Sequence, residues 1–167
     1  MTWAELLLGF VTLQRCGELL LARRNTKRLL AQGAIEVGAR HYPAIVALHA
    51  AWLAGLWLLA RNADISLALF AVFLVLQLLR VWVIASLGKR WTTRIIVLPG
   101  APLRSVGPYR YLSHPNYLVV AGEIAALPLA LGMPLYALIY SIANAAILTV
   151  RIRAENEALA RAAKHGL

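Results

Sequence analysis

The 167-residue chain is 61% hydrophobic, has a mean hydropathy of +0.70 and carries a net charge of +10. A soluble domain of this length is closer to half apolar, so the composition predicts an integral membrane protein with a single domain, residues 1–167. The basic residues cluster between long hydrophobic runs instead of forming one continuous stripe, which argues against a nucleic-acid partner.

The hydropathy pattern predicts an all-α fold with about five transmembrane helices, because each apolar run approaches the roughly 20 residues that cross a hydrocarbon core. The expected helices cover residues 3–22, 42–60, 65–88, 117–131 and 135–150. The last two form a helical hairpin that either just crosses the membrane or enters it shallowly. A cytosolic helix is expected to follow at residues 151–164.

Arg15, Glu18 and Arg80 are ionisable side chains within the apolar runs. Arg15 and Glu18 are one helical turn apart and are expected to pair inside the protein, either for packing or for function. Arg80 lies two turns from the end of its run, and we expect its aliphatic stem to extend toward the interface.

The segments between the runs are basic. Residues 23–40 are typical of an amphipathic segment lying on an anionic leaflet, broken at Gly33 and Gly38. Residues 89–115 contain enough proline and glycine to predict a shaped loop, with a short extended or interfacial piece at residues 95–98. His41 and His49 are eight apart with no nearby carboxylate or thiolate, so no metal site is expected.

The distribution of Lys and Arg predicts the orientation. Of 17 basic residues, five lie within 23–40, five within 89–110 and four after residue 150, and these segments alternate to one side. The positive-inside rule places that side in the cytosol, with the N-terminus outside and the C-terminus cytosolic.

Residues 107–117, Gly-Pro-Tyr-Arg-Tyr-Leu-Ser-His-Pro-Asn-Tyr, stand out between two apolar runs. Pro115 suits the first turn of a helix, whose free N–H groups and dipole attract an anion. The surrounding aromatic, titratable and basic side chains suit an anionic, partly aromatic ligand. An interfacial aromatic belt with lipid-headgroup contacts explains the same residue types. These side chains are those of Arg104, Tyr109, Arg110, Tyr111, His114 and Tyr117.

A second motif, residues 151–159, follows the last run. Its charges are spaced four apart, as in ordinary helix-surface pairs. In its favour as a site, Arg151 and Glu155 emerge at the level of His114. There a guanidinium could hold an acceptor anion, and a carboxylate could accept from a ribose or an amine.

Together, Gly107-x-Tyr109-Arg-x-x-x-His114-Pro-x-Tyr117 and Arg151-Ile-x-x-Glu155-x-x-x-Leu159 resemble the isoprenylcysteine carboxyl methyltransferase family, particularly its short bacterial-type members. The resemblance covers the C-terminal half. The N-terminal half is similar to small bacterial enzymes that methylate lipid-like hydroxyls. The family implies a multi-pass protein, here of a bacterial inner membrane, with the cofactor site built from the 89–117 loop and the C-terminal helix.

The resemblance implies S-adenosylmethionine as methyl donor, with Arg151 at the acceptor and His114 and Arg151 as the catalytic side chains. Ser113 stands where the family has an arginine. Asn156 stands where it has a second glutamate, which predicts that Glu155 alone is indispensable. The cofactor-binding residues carried over are Leu103, Arg104, Tyr109, His114, Pro115, Asn116, Tyr117 and Glu155.

The expected reaction is methyl transfer to an oxygen of a lipophilic acceptor, with a phenolic or pyrone-type lipid hydroxyl favoured and a prenylated cysteine carboxylate second. A carboxylate needs no base, whereas a phenol could use His114 or Glu18, which places Glu18 with Arg151 on the substrate side. Membrane lipids and the acceptor are the expected partners, without an obligate protein partner. The alternative class is a non-catalytic transporter or assembly subunit with intramembrane charges lining a path.

Overall fold

A computed structural model describes residues 2–101 and 105–165, with side chains as far as Arg161. It confirms an all-α membrane protein built on five α-helices, to which a two-stranded sheet is added. The elements are α1 (Trp3–Ala31), β1 (Ile35–Val37), α2 (Tyr42–Leu59), α3 (Leu67–Leu87), β2 (Ile95–Val97), α4 (Pro115–Ala130) and α5 (Pro134–His165). Short 3₁₀ helices cover Ala39–His41, Gly88–Arg90 and Gly107–Arg110.

Three helical stretches are long and apolar enough to cross a membrane: Ala39–Leu59, Leu67–Arg90 and Pro134–Arg161. The apolar α4 is shorter, with 16 residues. Although α1 has 29 residues, it carries Arg15 and Glu18 near its middle and is not among the three. Three of the five predicted crossings therefore meet the length and hydropathy expected of a spanning helix.

The first helix is longer than predicted. It begins with a capping box between Thr2 and Glu5 and continues through Ala31 instead of ending at residue 22. The expected interfacial segment at 23–40 is therefore wrong over its first half, because no glycine or proline interrupts the helix there. Gly33, with a φ of 87°, and Gly38, with a φ of 65°, mark the turns that follow.

The short two-stranded sheet joins the two halves of the chain. β1 and β2 are antiparallel, with Ile35 opposite Val97 and Val37 opposite Ile95. The predicted extended piece at 95–98 is confirmed, and its partner strand was not predicted. Arg94 Nη1 donates to Glu36 Oε1 at 2.7 Å beside this pairing. The sheet consequently connects the segment before α4 to the end of α1.

The last two helices form the predicted hairpin. Pro115 opens α4 and Pro134 opens α5, and Gly132, with a φ of 70°, lies in the turn between them. The predicted helices at 135–150 and 151–164 are continuous, because no glycine or proline follows Pro134 before residue 165. The transmembrane part and the expected cytosolic helix are one helix.

The membrane core contains a polar network, defined by Arg15, Glu18, Gln77, Arg80 and Glu123. Arg80 is 7% exposed and donates to Glu18 at 2.5 Å and to Glu123 at 2.8 Å, so its predicted extension to the interface is wrong. Arg15 pairs with Glu18 as predicted, at 2.9 Å, and also with Glu123 at 2.8 Å. The network joins α1, α3 and α4.

Candidate donor and acceptor site

The start of α4 presents two stacked rings. His114 is the N-cap of the helix, and its ring lies 5.4 Å from that of Tyr117 between centroids, with 19° between their planes. The backbone N–H groups of Tyr117 and Leu118 donate to His114 O at 3.1 and 3.3 Å. The Tyr117 N–H is thus used within the helix start, and the two rings lie beside the terminus that the sequence predicts to bind an anion.

The C-terminal part of α5 meets these rings. The Tyr117 hydroxyl donates to Glu155 Oε2 at 2.5 Å, and His114 Nδ1 lies 3.7 Å from the same oxygen. His114 Nε2 lies 3.0 Å from Asn156 Oδ1. The two sequence motifs are therefore in direct contact. We call His114, Tyr117, Glu155 and Asn156 the interfacial cluster.

Arg151 lies beside the cluster and is only 4% exposed. Its guanidinium carbon is 5.7 Å from the centre of the Tyr117 ring, and Nη2 donates to Thr93 O at 2.9 Å. Its Nε is buried and has no hydrogen-bond partner within the described part of the chain. A fixed cation with an unused donor fits an anionic oxygen that arrives with a substrate.

The segment before β2 supports the site from behind. Asn25 of α1 donates to Trp91 O at 2.8 Å, and Trp91 Nε1 lies 3.5 Å from Asn116 Oδ1. The Thr93 hydroxyl lies 3.0 Å from the Tyr42 hydroxyl. Trp91 and Thr93 together thus touch α1, α2, α4 and α5. Sequence reasoning missed them because half of these contacts are through backbone carbonyls, which no residue pattern marks.

The 3₁₀ helix before α4 contributes Tyr109, which packs against the buried cluster of Ala22, Val83, Trp91 and Val119. Burial, and then the negative charge of Glu155, raise the pKa of Tyr109, so the phenol is neutral at physiological pH. The turn begins at Gly107, whose φ is 57° and where an added Cβ would lie 2.1 Å from Ser86 Oγ. Only glycine fits this close approach to α3.

The structure gathers Tyr109, Asn116, Arg151 and the interfacial cluster, with Pro115 fixing the helix start. Leu103 and Arg104 lie outside the described residues. Glu18 belongs to the membrane network, where Arg80 and Arg15 occupy both of its oxygens. Asn156, to which sequence reasoning gave no role, contacts His114; its place beside Glu155 in the family pair was the signal that could have found it.

A cavity of about 300 Å³ lies on the neighbouring face of α5, against the two-stranded sheet. Apolar side chains line most of it, with Glu157 and Arg161 among its charged residues. None of the predicted site residues that the structure describes lines it. Among the described residues, no group of three or more His, Cys, Asp or Glu side chains is arranged to hold a metal ion. The lining residues are Ile35, Val37, Val97, Pro99, Ala154, Glu157, Ala158 and Arg161.

Residues 66–161, more than half of the chain and including both motifs, match the sequence model of the isoprenylcysteine carboxyl methyltransferase (ICMT) family. The chain belongs to this family. Membership implies an S-adenosylmethionine-dependent methyltransferase of the membrane, and the resemblance drawn from the two motifs is confirmed.

Two relatives extend the match toward the N-terminus. The chain is 42% identical over 159 residues to the uncharacterized protein YpbQ of Bacillus subtilis (strain 168), covering 92% of this chain and 95% of that protein. It is 27% identical over 155 residues to an uncharacterized protein of Haemophilus influenzae, covering 81% and 83%. Neither description gives a substrate. No solved structure matches.

The residues present fit the methyl donor of the family. S-adenosylmethionine carries a sulfonium and an ammonium, which favour neutral aromatic faces and carboxylates. Tyr109 and Tyr117 supply such faces, and Glu155 supplies the carboxylate. Because S-adenosylmethionine also carries a carboxylate, Arg151, a cation, suits an anionic oxygen of either the donor or an acceptor.

Proposed function

We propose that this protein transfers a methyl group from S-adenosylmethionine to an oxygen of a lipophilic acceptor, with a phenolic or pyrone-type lipid hydroxyl as the favoured class. The observation that carries the proposal is the contact of the Tyr117–Glu155 pair with a buried Arg151 whose Nε–H is unused. A carboxylate at its hydroxyl and a cation over its ring thus both contact Tyr117, and we assign the first to the donor and the second to the acceptor.

On the donor side, Glu155 has a role that the membrane carboxylates lack. Its Oε2 receives the contacts of Tyr117 and His114 found in the described part of the chain, which leaves Oε1 for a ligand hydroxyl or amine. Asn156 fixes the far edge of the His114 ring. The donor would lie on the Tyr109 and Tyr117 side of this carboxylate.

On the acceptor side, Arg151 draws negative charge toward the donor. Methyl transfer from a sulfonium to an oxygen is an in-line displacement, so alignment and exclusion of water matter more than acid chemistry. Positioning of this kind supplies up to roughly 7–11 kcal/mol in favourable cases. For an acidic hydroxyl, His114 is our choice of proton acceptor, because both oxygens of Glu18 are already engaged by arginines.

The site would face the cytosol, with the N-terminus outside and the C-terminus inside, in keeping with the 14 basic residues that the positive-inside rule assigns to that side. The donor would then enter from water and the acceptor from the bilayer. A prenylated cysteine carboxylate is the second acceptor class, since Arg151 suits a carboxylate equally well.

The deciding experiment joins donor binding to product analysis. Membranes from expressing cells, incubated with radiolabelled S-adenosylmethionine, should yield a labelled lipid that mass spectrometry identifies after extraction. A labelled lipid that also forms in membranes carrying Glu155→Gln would contradict the site. Absence of donor binding by the purified wild-type protein would support a non-catalytic transporter or assembly subunit instead.

A further inference from the structure

A second, smaller cavity lies deeper in the membrane part of the protein, between α2 and the polar network. It offers about 10 Å³, which is room for roughly one oxygen atom or water molecule. Two of its lining residues, Val120 and Glu123, follow Tyr117 on α4. At 1.5 Å per residue they lie roughly 5–9 Å further into the membrane than the interfacial cluster. The lining residues are Arg15, His49, Trp52, Arg80, Val120, Glu123 and Ile124.

Trp52, one of the residues that line this cavity, carries an unused hydrogen-bond donor. Trp52 is 2% exposed, and its indole Nε1 is buried without a hydrogen-bond partner within the described part of the chain. A buried N–H left unpaired costs roughly 1–3 kcal/mol, so such groups are rare unless a water or ligand meets them. Trp57, on the same helix, shows the ordinary arrangement, because its Nε1 donates to Thr12 Oγ1 at 3.0 Å.

His49, by contrast, offers the cavity a hydrogen-bond acceptor. Its Nδ1 lies 2.8 Å from Ile45 O, and a carbonyl oxygen only accepts, so Nδ1 carries the proton. In the neutral ring Nε2 is then a free acceptor. His49 is half-buried on a helix that otherwise buries only Trp52 and Leu56, so a group entering from the membrane can reach its ring.

A hydroxyl can bind both side chains, because its oxygen can accept from Trp52 Nε1 while its proton is donated to His49 Nε2. A carboxylate can accept from Trp52 but has no proton to donate to His49. We propose that this cavity recognises a hydroxyl of the acceptor, separate from the oxygen that receives the methyl group. The inference rests on the proposed function and narrows the acceptor to a lipid ring bearing two oxygen functions.

The charged groups around His49 agree with a neutral occupant. Arg15 and Arg80 face it from α1 and α3, Glu123 faces it from α4, and Arg151 of α5 lies within electrostatic range. The two network arginines are already paired with Glu18 and Glu123, so they offer no uncompensated charge to an anion at this depth.

The test compares two probes with one alkyl tail: a 5-alkylresorcinol, with two hydroxyls, and the corresponding 3-alkylphenol, with one. Titrations in detergent without S-adenosylmethionine should show the resorcinol binding about tenfold more tightly, the size expected of one or two well-made hydrogen bonds. Trp52→Phe and His49→Leu should each reduce this preference to less than about threefold. Trp57→Phe, which removes a partnered indole N–H, should preserve it.

Equal affinities of the wild-type protein for the two probes would overturn the inference and leave an ordered water as the only occupant. So would a preference that survives Trp52→Phe in a protein with normal thermal unfolding. For His49, the 15N shift of Nε2 should move when the resorcinol binds and stay unchanged with the phenol. Because these titrations contain no donor, a failure of S-adenosylmethionine binding would contradict the proposed function without altering their outcome.

Discussion

The membrane network and the interfacial cluster are both polar groups on α4 and its neighbours, yet they are completed differently. In the network, every carboxylate oxygen of Glu18 and Glu123 accepts from at least one arginine or glutamine. At the interface, Glu155 uses one oxygen and Arg151 keeps an unpaired Nε–H.

We expect charged groups with complete hydrogen bonding to stabilise the fold, and those with unused hydrogen-bonding capacity to bind a ligand. Two arginines balance two glutamates in the network, so it is neutral as a unit and suits the low dielectric of the bilayer. The interfacial residues are left with unused hydrogen-bonding capacity, which a ligand must complete. The comparison predicts that substitutions in the network act on folding and that those at the interface act on binding.

The largest effect is expected from Arg80→Leu. It leaves Glu18 and Glu123 each buried with one of their two arginine partners, and breaking a buried pair in this way costs about 3–5 kcal/mol. Thermal unfolding in detergent should show a large drop in the midpoint or a failure to accumulate folded protein. Arg61→Ala, in an exposed turn, is the control. An unchanged midpoint for Arg80→Leu would mean that the network does not hold the helices together.

Glu155→Gln should weaken S-adenosylmethionine binding by about a hundredfold with little change in thermal stability, because a charge-assisted contact is lost at a half-exposed position. Titration calorimetry measures the effect. Glu157→Gln is a matched control on the same helix, since among the described residues Glu157 pairs only with Arg161, at an exposed position and 3.3 Å away. Equal losses in both variants would contradict the assignment of Glu155.

Arg151→Lys should lower kcat/KM for the acceptor by about tenfold to a hundredfold while the donor affinity stays within about twofold. Lysine keeps the charge but loses the planar fork that reaches Thr93 O and an acceptor oxygen together. Steady-state kinetics with each substrate varied in turn separates the two effects. A loss confined to donor affinity would move Arg151 to the donor side.

Asn156→Ala should cost about threefold to tenfold in donor affinity, as expected for one neutral hydrogen bond that orients His114. Asn156→Glu, which creates the acidic pair of the family, should retain binding. If the alanine variant were indistinguishable from wild type, Glu155 alone would be indispensable, as the sequence predicted.

The smallest effect concerns pH. The pKa of Tyr109 is raised in the folded protein, so the stability it contributes is complete below the unfolded value of about 10 and is lost as pH rises above it. Unfolding midpoints measured between pH 8 and pH 11 should fall at the alkaline end, and Tyr109→Phe should reduce that fall. An identical alkaline fall in the variant would assign it to other groups.

Much of this architecture follows from local sequence signals. Pro115 and Pro134 mark helix starts, Gly132 marks the turn between them, and the paired motifs indicate the contact of His114 with the last helix. The predictions that were wrong or missing concern residues whose contacts are distant in the sequence. Arg80 looked like an interfacial residue because Glu123, which holds it inside, is 43 positions away, and β1 is too short to be recognised without β2.

The continuity of α5 fixes the depth at which the acceptor is handled. From Pro134 to Arg151 the helix rises roughly 26 Å, close to the thickness of a bilayer's hydrocarbon layer, and no proline or glycine lets that length adjust. In the proposed topology this length would place the first turn of the helix at one face of the bilayer and Arg151 at the other. A lipid whose reactive oxygen lies at the headgroup boundary would meet the guanidinium without leaving its own leaflet.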